Sequence, residues 1–247
     1  MAMGRGPSKN KVRRHKNISL PYPAREDLAN SGATQPNIKP VFDLGYLLVY
    51  DRSRLRFMTD ALLRIHQFLP QSRVNGPGLR AVLWVQGCSL GCAGCFNPQT
   101  HAFEGGELVS IDSLMSQLIA WQDSIEGLTL SGGEPLQQRL PLLKLLRRVR
   151  QETDLTTLLL SGFTWDEIQQ MPDASELLAC LDVLIAGRYQ AGQHLARDLR
   201  GSANKTIHFL TPRYSLSDLQ AVPAAEVIIT AVGEVLVSGI DPPGWTG

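Results

Sequence analysis

Short apolar runs alternate with longer amphipathic segments along the central part of the chain. Runs rich in leucine and β-branched residues predict strands, whereas apolar residues three and four positions apart predict helices. The predicted strands cover residues 63–69, 81–85, 128–131, 155–160, 183–185 and 207–210, and the first of them is expected to end at Pro70. The predicted helices cover residues 111–121, 140–149, 162–170 and 175–181. Apolar strands that alternate with helices indicate an α/β fold, with a parallel sheet covered on its outer face.

The number of these units limits the architecture. About five or six strand–helix units are too few for a closed eight-stranded barrel, so the pattern favours an open, partial (β/α) barrel. Near the end of the chain, the apolar runs 227–229 and 235–237 flank residues 231–234 and predict a C-terminal β-hairpin. We expect this hairpin to pack on the edge of the sheet and to protect it.

The N-terminal part of the chain has a different composition. Its first sixteen residues contain six Lys or Arg and no Asp or Glu, and a polar, proline-containing stretch follows. Such a segment buries too little apolar surface to offset the entropy of ordering, so residues 1–57 are interpreted as a largely disordered extension. Residues 58–247 form the predicted domain, with 210–247 as an addition that contains the hairpin. Met58 could therefore begin a shorter functional protein.

The composition restricts the class of protein. With 43% hydrophobic and 19% charged residues and a net charge of +1, the 247-residue chain is typical of a globular protein, without an indication of a polyanionic partner. The basic leader is interpreted as solvated rather than as a nucleic-acid-binding tail. No stretch approaches the 18 consecutive apolar residues of a membrane span. The cysteine usage favours a reducing compartment, so we expect a cytoplasmic protein.

Three of the four cysteines lie together after the predicted strand 81–85. Cys88, Cys92 and Cys95 have the spacing C-x3-C-x2-C and are interspersed with glycines. Three thiols on one helical face could be core residues, but each glycine costs roughly 1 kcal/mol in a helix interior. An odd cluster also cannot satisfy itself by disulfide pairing. The segment therefore predicts a metal or cluster site, with iron–sulfur favoured and zinc, with His101 as a candidate fourth ligand, left open.

An ordinary [4Fe–4S] cluster is held by four thiolates, so a cluster held by three has one iron open to another ligand. A second motif suggests what binds there, because the predicted strand 128–131 runs into the sequence SGGEP at 131–135. Glycines let a ligand approach the backbone closely, and the carboxylate of Glu134 can receive an ammonium group. Cys180, far away in sequence, is interpreted as a core residue.

At this point the chain resembles the radical S-adenosylmethionine (SAM) enzymes, and within them the activating proteins of anaerobic ribonucleotide reductase. The resemblance extends over roughly residues 63–210. The matching motifs are NGPGLR at 75–80, VQGCSLGCAGCFNPQTH at 85–101, LTLSGGEPL at 128–136, SGFTWDEI at 161–168, VLIAGRY at 183–189 and LRGSANKTIH at 199–208.

The resemblance implies a [4Fe–4S] cluster held by Cys88, Cys92 and Cys95, whose open iron is chelated by the amino and carboxylate groups of SAM. The implied SAM-binding residues are Gly94, Phe96, Gly132, Gly133, Glu134 and Ser161. Many radical SAM enzymes carry an aromatic residue just before the third cysteine. Here Gly94 stands at that position, with Phe96 just after the cysteine, as in the reductase activators.

The implied chemistry is the reductive cleavage of SAM to methionine and a 5′-deoxyadenosyl radical, which abstracts a hydrogen atom. The implied partners are a glycyl-radical enzyme such as anaerobic ribonucleotide reductase, and a one-electron donor such as flavodoxin or ferredoxin. No side chain needs to act as an acid or base, so no catalytic residue is assigned. Two alternatives remain at this point: a radical SAM enzyme that modifies a small molecule or peptide, and a non-enzymatic zinc or iron–sulfur binding module. Ala186 stands where relatives often carry an acidic residue, so a contact made there could be lost.

Overall fold

A computed structural model describes residues 62–229, 233 and 235–240 of the chain, all within one compact unit. Seven strands form one sheet in the order β3-β1-β2-β4-β5-β6-β9. Their bounds are β1 Leu62–Ser72, β2 Arg80–Val85, β3 Glu107–Ser110, β4 Gly127–Gly132, β5 Thr156–Leu160, β6 Val183–Ala186 and β9 Thr206–Phe209. Two further antiparallel pairs stand apart from this sheet: β7 His194–Arg197 with β8 Arg200–Ser202, and β10 Ala225–Ile229 with β11 Val235–Gly239.

The sheet is mixed rather than parallel. The inner strands β2, β4, β5 and β6 are parallel, as their apolar sequences predict, because both of their faces are covered. Strands β1, β3 and β9 pair antiparallel with their neighbours, so the prediction of a parallel sheet is wrong at both edges. The prediction that the first strand ends at Pro70 is also wrong. The strand continues to Ser72, because a register shift between Leu69 and Ser72 accommodates a residue that has no N–H.

Among the described residues, the first four of five α-helices cover one face of the sheet. The bounds are α1 Ile111–Trp121, α2 Arg139–Glu152, α3 Trp165–Gln169, α4 Ala174–Ala179 and α5 Leu216–Gln220. The Ser110 hydroxyl accepts a hydrogen bond from Ser113 N at the start of α1, and Thr164 forms a capping box with Glu167 at the start of α3. The first four helices match the predicted ones within a few residues, whereas α5, β3 and the β7–β8 pair were not predicted.

Two apolar cores lie on opposite faces of the sheet, because successive side chains of a strand point in opposite directions. The larger core lies between the sheet and the inward faces of α1–α4, and it contains Cys180, as predicted. The smaller core contains Leu158 and Val183 on the other face, together with Leu219 of α5. The second face is therefore covered by the C-terminal part of the chain.

A buried arginine joins the amino-terminal ends of three inner strands. Arg80 donates to the hydroxyls of Thr129 (2.9 Å), Thr156 (2.9 Å) and Tyr214 (3.0 Å), and to the carbonyls of Leu128 and Thr156. Burial lowers the pKa of its guanidinium, which the Tyr214 and Glu126 side chains oppose. This network gives the Arg80 end of the motif at 75–80 a structural role at the amino-terminal ends of the strands, whereas Asn75 lines a cavity that the cysteines also border.

The β10–β11 pair, called the C-terminal pair below, contacts the connection between β1 and β2. The Glu226 carboxylate accepts from Ser72 Oγ (2.5 Å) and Arg73 N (3.0 Å), and Asn75 Nδ2 donates to Ser238 Oγ (2.8 Å). The pair is not hydrogen-bonded to the seven-stranded sheet, and the expected packing on an edge of that sheet stays a prediction. The expected turn at 231–234 lies mostly outside the described residues, as does the extension 1–57.

In the described part of the chain, no helix is both long and apolar enough to cross a membrane.

Candidate functional site

The three clustered cysteines lie in a loop, residues 87–101, that begins where β2 ends. Two backbone hydrogen bonds close the base of this cysteine loop, from Gly87 N to Thr100 O (2.7 Å) and from Cys88 N to His101 O (3.0 Å). The Gln86 side chain also donates to the carbonyl of Ala102 (2.6 Å). The loop is therefore anchored at both ends, and Cys92 and Cys95 lie between these anchors.

All three thiols of the loop are free and partly exposed, and all three border one cavity of about 300 Å³. The backbone N–H of Asn97 approaches Cys95 Sγ at 3.5 Å, a distance typical of a weak hydrogen bond to sulfur. Partial burial raises the pKa of the Cys88 thiol. Within residues 62–229 and the described part of the C-terminal pair, no three His, Cys, Asp or Glu side chains converge on a single-ion site. In a cubane each thiolate binds a different iron atom, so the sulfurs need not meet at one point.

The glycine motif, SGGEP at 131–135, is hydrogen-bonded to the end of β2 and to the start of the cysteine loop. Gly133 N donates to Val85 O and Glu134 N donates to Gly87 O, both at 2.9 Å. Gly132 has a φ of +101°, and a Cβ there would lie 2.6 Å from Val85 N. The glycines therefore let the backbone at the end of β2 approach the motif closely, in a space that the sequence predicted a ligand would occupy.

The Glu134 carboxylate is buried and accepts three hydrogen bonds. Its Oε1 accepts from Leu136 N (2.9 Å) and Ser161 Oγ (2.9 Å), and its Oε2 accepts from Gly162 N (2.6 Å). Burial raises the pKa of the Glu134 carboxyl, while these three donors and Lys205 oppose the shift. With two lone pairs on each oxygen, one acceptor position on Oε2 remains for a further donor.

Lys205 is a site residue that sequence reasoning missed. Its ammonium lies in the same cavity and donates to the carbonyls of Ser161 (3.3 Å) and Gly187 (2.5 Å), which follow β5 and β6. Burial lowers its pKa, and the nearby Glu134 carboxylate opposes this. An ammonium has three donors, so one remains for an anionic group in the cavity. In the sequence, the feature that could have identified Lys205 as a site residue was its position within the matched motif at 199–208.

Aromatic side chains border the other side of the cysteine loop. The Phe96 ring lies 4.7 Å from the Tyr189 ring and 5.5 Å from the His194 ring, measured between centroids. Gly94 has a φ of +69°, a conformation that favours glycine at this turn of the loop. Phe96 and Tyr189 both line the cavity, so they provide an apolar surface beside the cysteines.

The structure brings eight of the nine predicted site residues to the cavity, and Gly94 is the exception. The eight are Cys88, Cys92, Cys95, Phe96, Gly132, Gly133, Glu134 and Ser161. Ala186 does not line it, since its side chain is buried in the larger core on the helix side of the sheet. The donor set fits a [4Fe–4S] cluster with an amino-acid ligand, because three soft thiol donors face a buried carboxylate and ammonium.

Comparisons with known proteins agree with this donor set. The 4Fe-4S single cluster domain family matches residues 74–208. The chain is 35% identical over 156 residues to the anaerobic ribonucleoside-triphosphate reductase-activating protein of Vibrio cholerae, covering 60% of this chain and 99% of that protein. It is 37% identical over 153 residues to the protein of the same name from Haemophilus influenzae, covering 58% and 95%. Among solved structures, QueE from Escherichia coli matches with a TM-score of 0.34 and 19% identity over 47% of this chain and 58% of that chain, a likeness too low to establish a common fold.

The cysteine loop, the glycine motif and the family match define a radical SAM protein, the class that uses a [4Fe–4S] cluster and SAM. Within that class, the chain belongs to the family of anaerobic ribonucleoside-triphosphate reductase-activating proteins.

Proposed function

We propose that this protein activates a glycyl-radical enzyme, with an anaerobic ribonucleoside-triphosphate reductase as the partner. The observation that carries the proposal is the joining of the cysteine loop to the glycine motif by two main-chain hydrogen bonds at the wall of one cavity. That arrangement supports a cluster and an amino-acid ligand lying side by side. The names of the relatives supply the class of partner.

The proposed roles follow from the position of each residue. Cys88, Cys92 and Cys95 would hold the cluster, and the methionine amino group of SAM would bind at Gly132, Gly133 and Glu134. Gly94, Phe96 and Ser161 would contact SAM, and Lys205 would face its carboxylate. The bound cofactors supply a 5′-deoxyadenosyl radical able to take a hydrogen atom from a glycine Cα. The protein's own residues orient the two cofactors and exclude water around them.

The finer architecture is also part of the proposal. We propose that the seven-stranded sheet with helices on one face is an open, partial (β/α) barrel, with the C-terminal pair as a hairpin beside it. The parallel strands β2, β4, β5 and β6 support this, because their carboxyl ends lead to the cysteine loop, the glycine motif, Ser161 and Gly187. A one-electron donor such as flavodoxin or ferredoxin, and a cytoplasmic location suited to four free cysteines, complete the proposal.

The function is tested with the full chain, reconstituted with iron and sulfide without oxygen and supplied with a strong one-electron reductant. We expect slow conversion of SAM to methionine and 5′-deoxyadenosine in the absence of a partner. With the reductase from the same organism, we expect a glycyl doublet in electron paramagnetic resonance, because the hydrogen atom then comes from the partner's backbone. Cleavage of SAM without a glycyl signal would favour a small-molecule or peptide substrate. A reduced cluster that leaves SAM intact would contradict both enzyme functions and favour a binding module.

A second test concerns the extension. A chain that begins at Met58 should bind the same amount of iron and cleave SAM at a rate within about twofold of the full chain, since every described site residue follows Met58. Iron content and 5′-deoxyadenosine production measure this. Loss of the cluster in the shortened chain would assign residues 1–57 to the functional domain.

A further inference from the structure

The C-terminal pair forms part of the wall of the cysteine cavity. Ile228 of β10, residues 236–239 of β11 and the following Ile240 all line the cavity that the three cysteines border. The pair lies beyond residues 74–208, the part of the chain that the family matches. Two relatives that are covered over 99% and 95% of their own length match only 60% and 58% of this chain. This wall is therefore an addition to the matched family domain.

Strand β11 borders the cavity along its edge. Leu236 shares one face of the pair with its cross-strand partner Ile228, and both residues line the cavity. Val237 and Gly239 belong to the opposite face and line the cavity as well, so the backbone of β11 contributes to the lining beside that face. Among the described residues, no backbone hydrogen bond joins either strand of the pair to another element. Such an edge is a template for another strand.

The position of this edge is fixed by side chains and not by its own backbone. Glu226 accepts from Ser72 Oγ and Arg73 N, and Ser238 Oγ accepts from Asn75 Nδ2. The part of the wall that the pair contributes carries no charged side chain. Its outer face exposes two β-branched cross-strand pairs, Val227 with Val237 and Ile229 with Val235, which are 63%, 38%, 71% and 56% exposed. An apolar strip beside a strand edge that no other described strand pairs with is typical of an interaction site.

We propose that the edge of β11 binds an extended, uncharged segment of the glycyl-radical enzyme by strand addition and carries that segment across the cavity to the cysteine loop. The proposal rests on the proposed function. A glycine has no side chain to recognise, so a protein that acts on a glycine Cα must hold the neighbouring main chain. Strand addition supplies main-chain hydrogen bonds of this kind, and pockets for alternate side chains add specificity.

Hydrogen–deuterium exchange tests the docking edge directly. The reconstituted full chain is measured alone and with the reductase from the same organism. We expect the outward-directed amides among residues 235–240 to exchange at least about tenfold more slowly in the complex, because newly bonded N–H groups are protected. Formation of the glycyl doublet without protection of 235–240 would overturn the docking site and leave the proposed function intact. Absence of the doublet with active SAM cleavage would overturn the proposed function and this proposal with it.

Two proline variants provide a second measurement. Successive residues of an antiparallel strand direct their N–H groups alternately to the partner strand and outward. Of the two variants Leu236→Pro and Val237→Pro, one therefore removes an outward N–H and leaves the hydrogen bonds to β10 intact. This variant should bind the reductase about tenfold more weakly in calorimetry. The control Ile119→Val keeps a β-branched side chain at an exposed position of α1 that does not line the cavity, and it should bind within about twofold of the original chain.

Circular dichroism and iron content identify which proline variant remains folded. Unchanged reductase affinity in both variants would overturn the proposal. Light scattering of the chain without reductase tests the other occupant of the edge, a second copy of this chain. A dimer that the proline variants abolish would assign β11 to self-association and would likewise overturn it.

Discussion

Replacing any one of Cys88, Cys92 and Cys95 by alanine should abolish the iron–sulfur cluster. The reconstituted original chain should contain about four irons, with a broad absorbance band near about 400 nm. Among the described residues, these three are the cysteines that border the cavity, so removing one thiolate leaves a second iron of the cluster without its cysteine ligand. We expect less than about a tenth of the original iron in each variant, together with loss of SAM cleavage.

Cys180→Ala is the matched control for these variants. This thiol is free and buried in the larger core on the helix side of the sheet, so it does not border the cavity. Its iron content should equal that of the original chain, with a modest loss of stability from the smaller side chain. Full iron content in a loop variant, or loss of iron in Cys180→Ala, would contradict the assignment of the ligands.

Replacing Glu134 by glutamine should weaken SAM binding by about 10- to 100-fold, which corresponds to roughly 1.4–2.8 kcal/mol. The buried carboxylate accepts from Leu136 N, Ser161 Oγ and Gly162 N and has one acceptor position left. A glutamine amide has only one oxygen, whereas both carboxylate oxygens of Glu134 accept hydrogen bonds. The NH₂ group of glutamine would therefore lie opposite an N–H or O–H donor that no longer has an acceptor. The proposed charge-assisted bond to the SAM ammonium would be lost as well.

The same substitution should lower the free energy of unfolding by about 1–3 kcal/mol, because a buried donor loses its acceptor. Urea unfolding measures this loss, and equilibrium dialysis of SAM against the reconstituted protein measures the affinity. Glu176→Gln is the control, since that carboxylate pairs with Arg147 at the surface and does not line the cavity. Iron content should be unchanged in both variants. Unchanged SAM affinity in Glu134→Gln would remove Glu134 from the binding site.

Some features of this protein follow from the sequence by itself. The inner strands and the first four helices are local patterns, because burial on both faces selects continuous apolar runs and burial on one face selects helical spacing. The cysteine triplet is equally local, since the glycines between its members argue against core cysteines on a helix and its odd number argues against disulfide pairing. The order of the motifs along the chain then identified the family. Each of these inferences depends on residues close together in the sequence.

Other features depend on residues far apart, and only the tertiary structure decided them. The direction of β1, β3 and β9 depends on which strands become neighbours, and the short, half-exposed edge strands carry no pattern that encodes it. Glu134 appeared as a free carboxylate in the sequence, but the chain folds Ser161 and Gly162 onto it. Lys205 and β11 come to line the same cavity as the cysteine loop only through folding, because the tertiary structure brings together segments more than 100 residues apart. The local sequence pattern therefore predicts which cofactors bind, whereas long-range packing determines which residues line the cavity around their site.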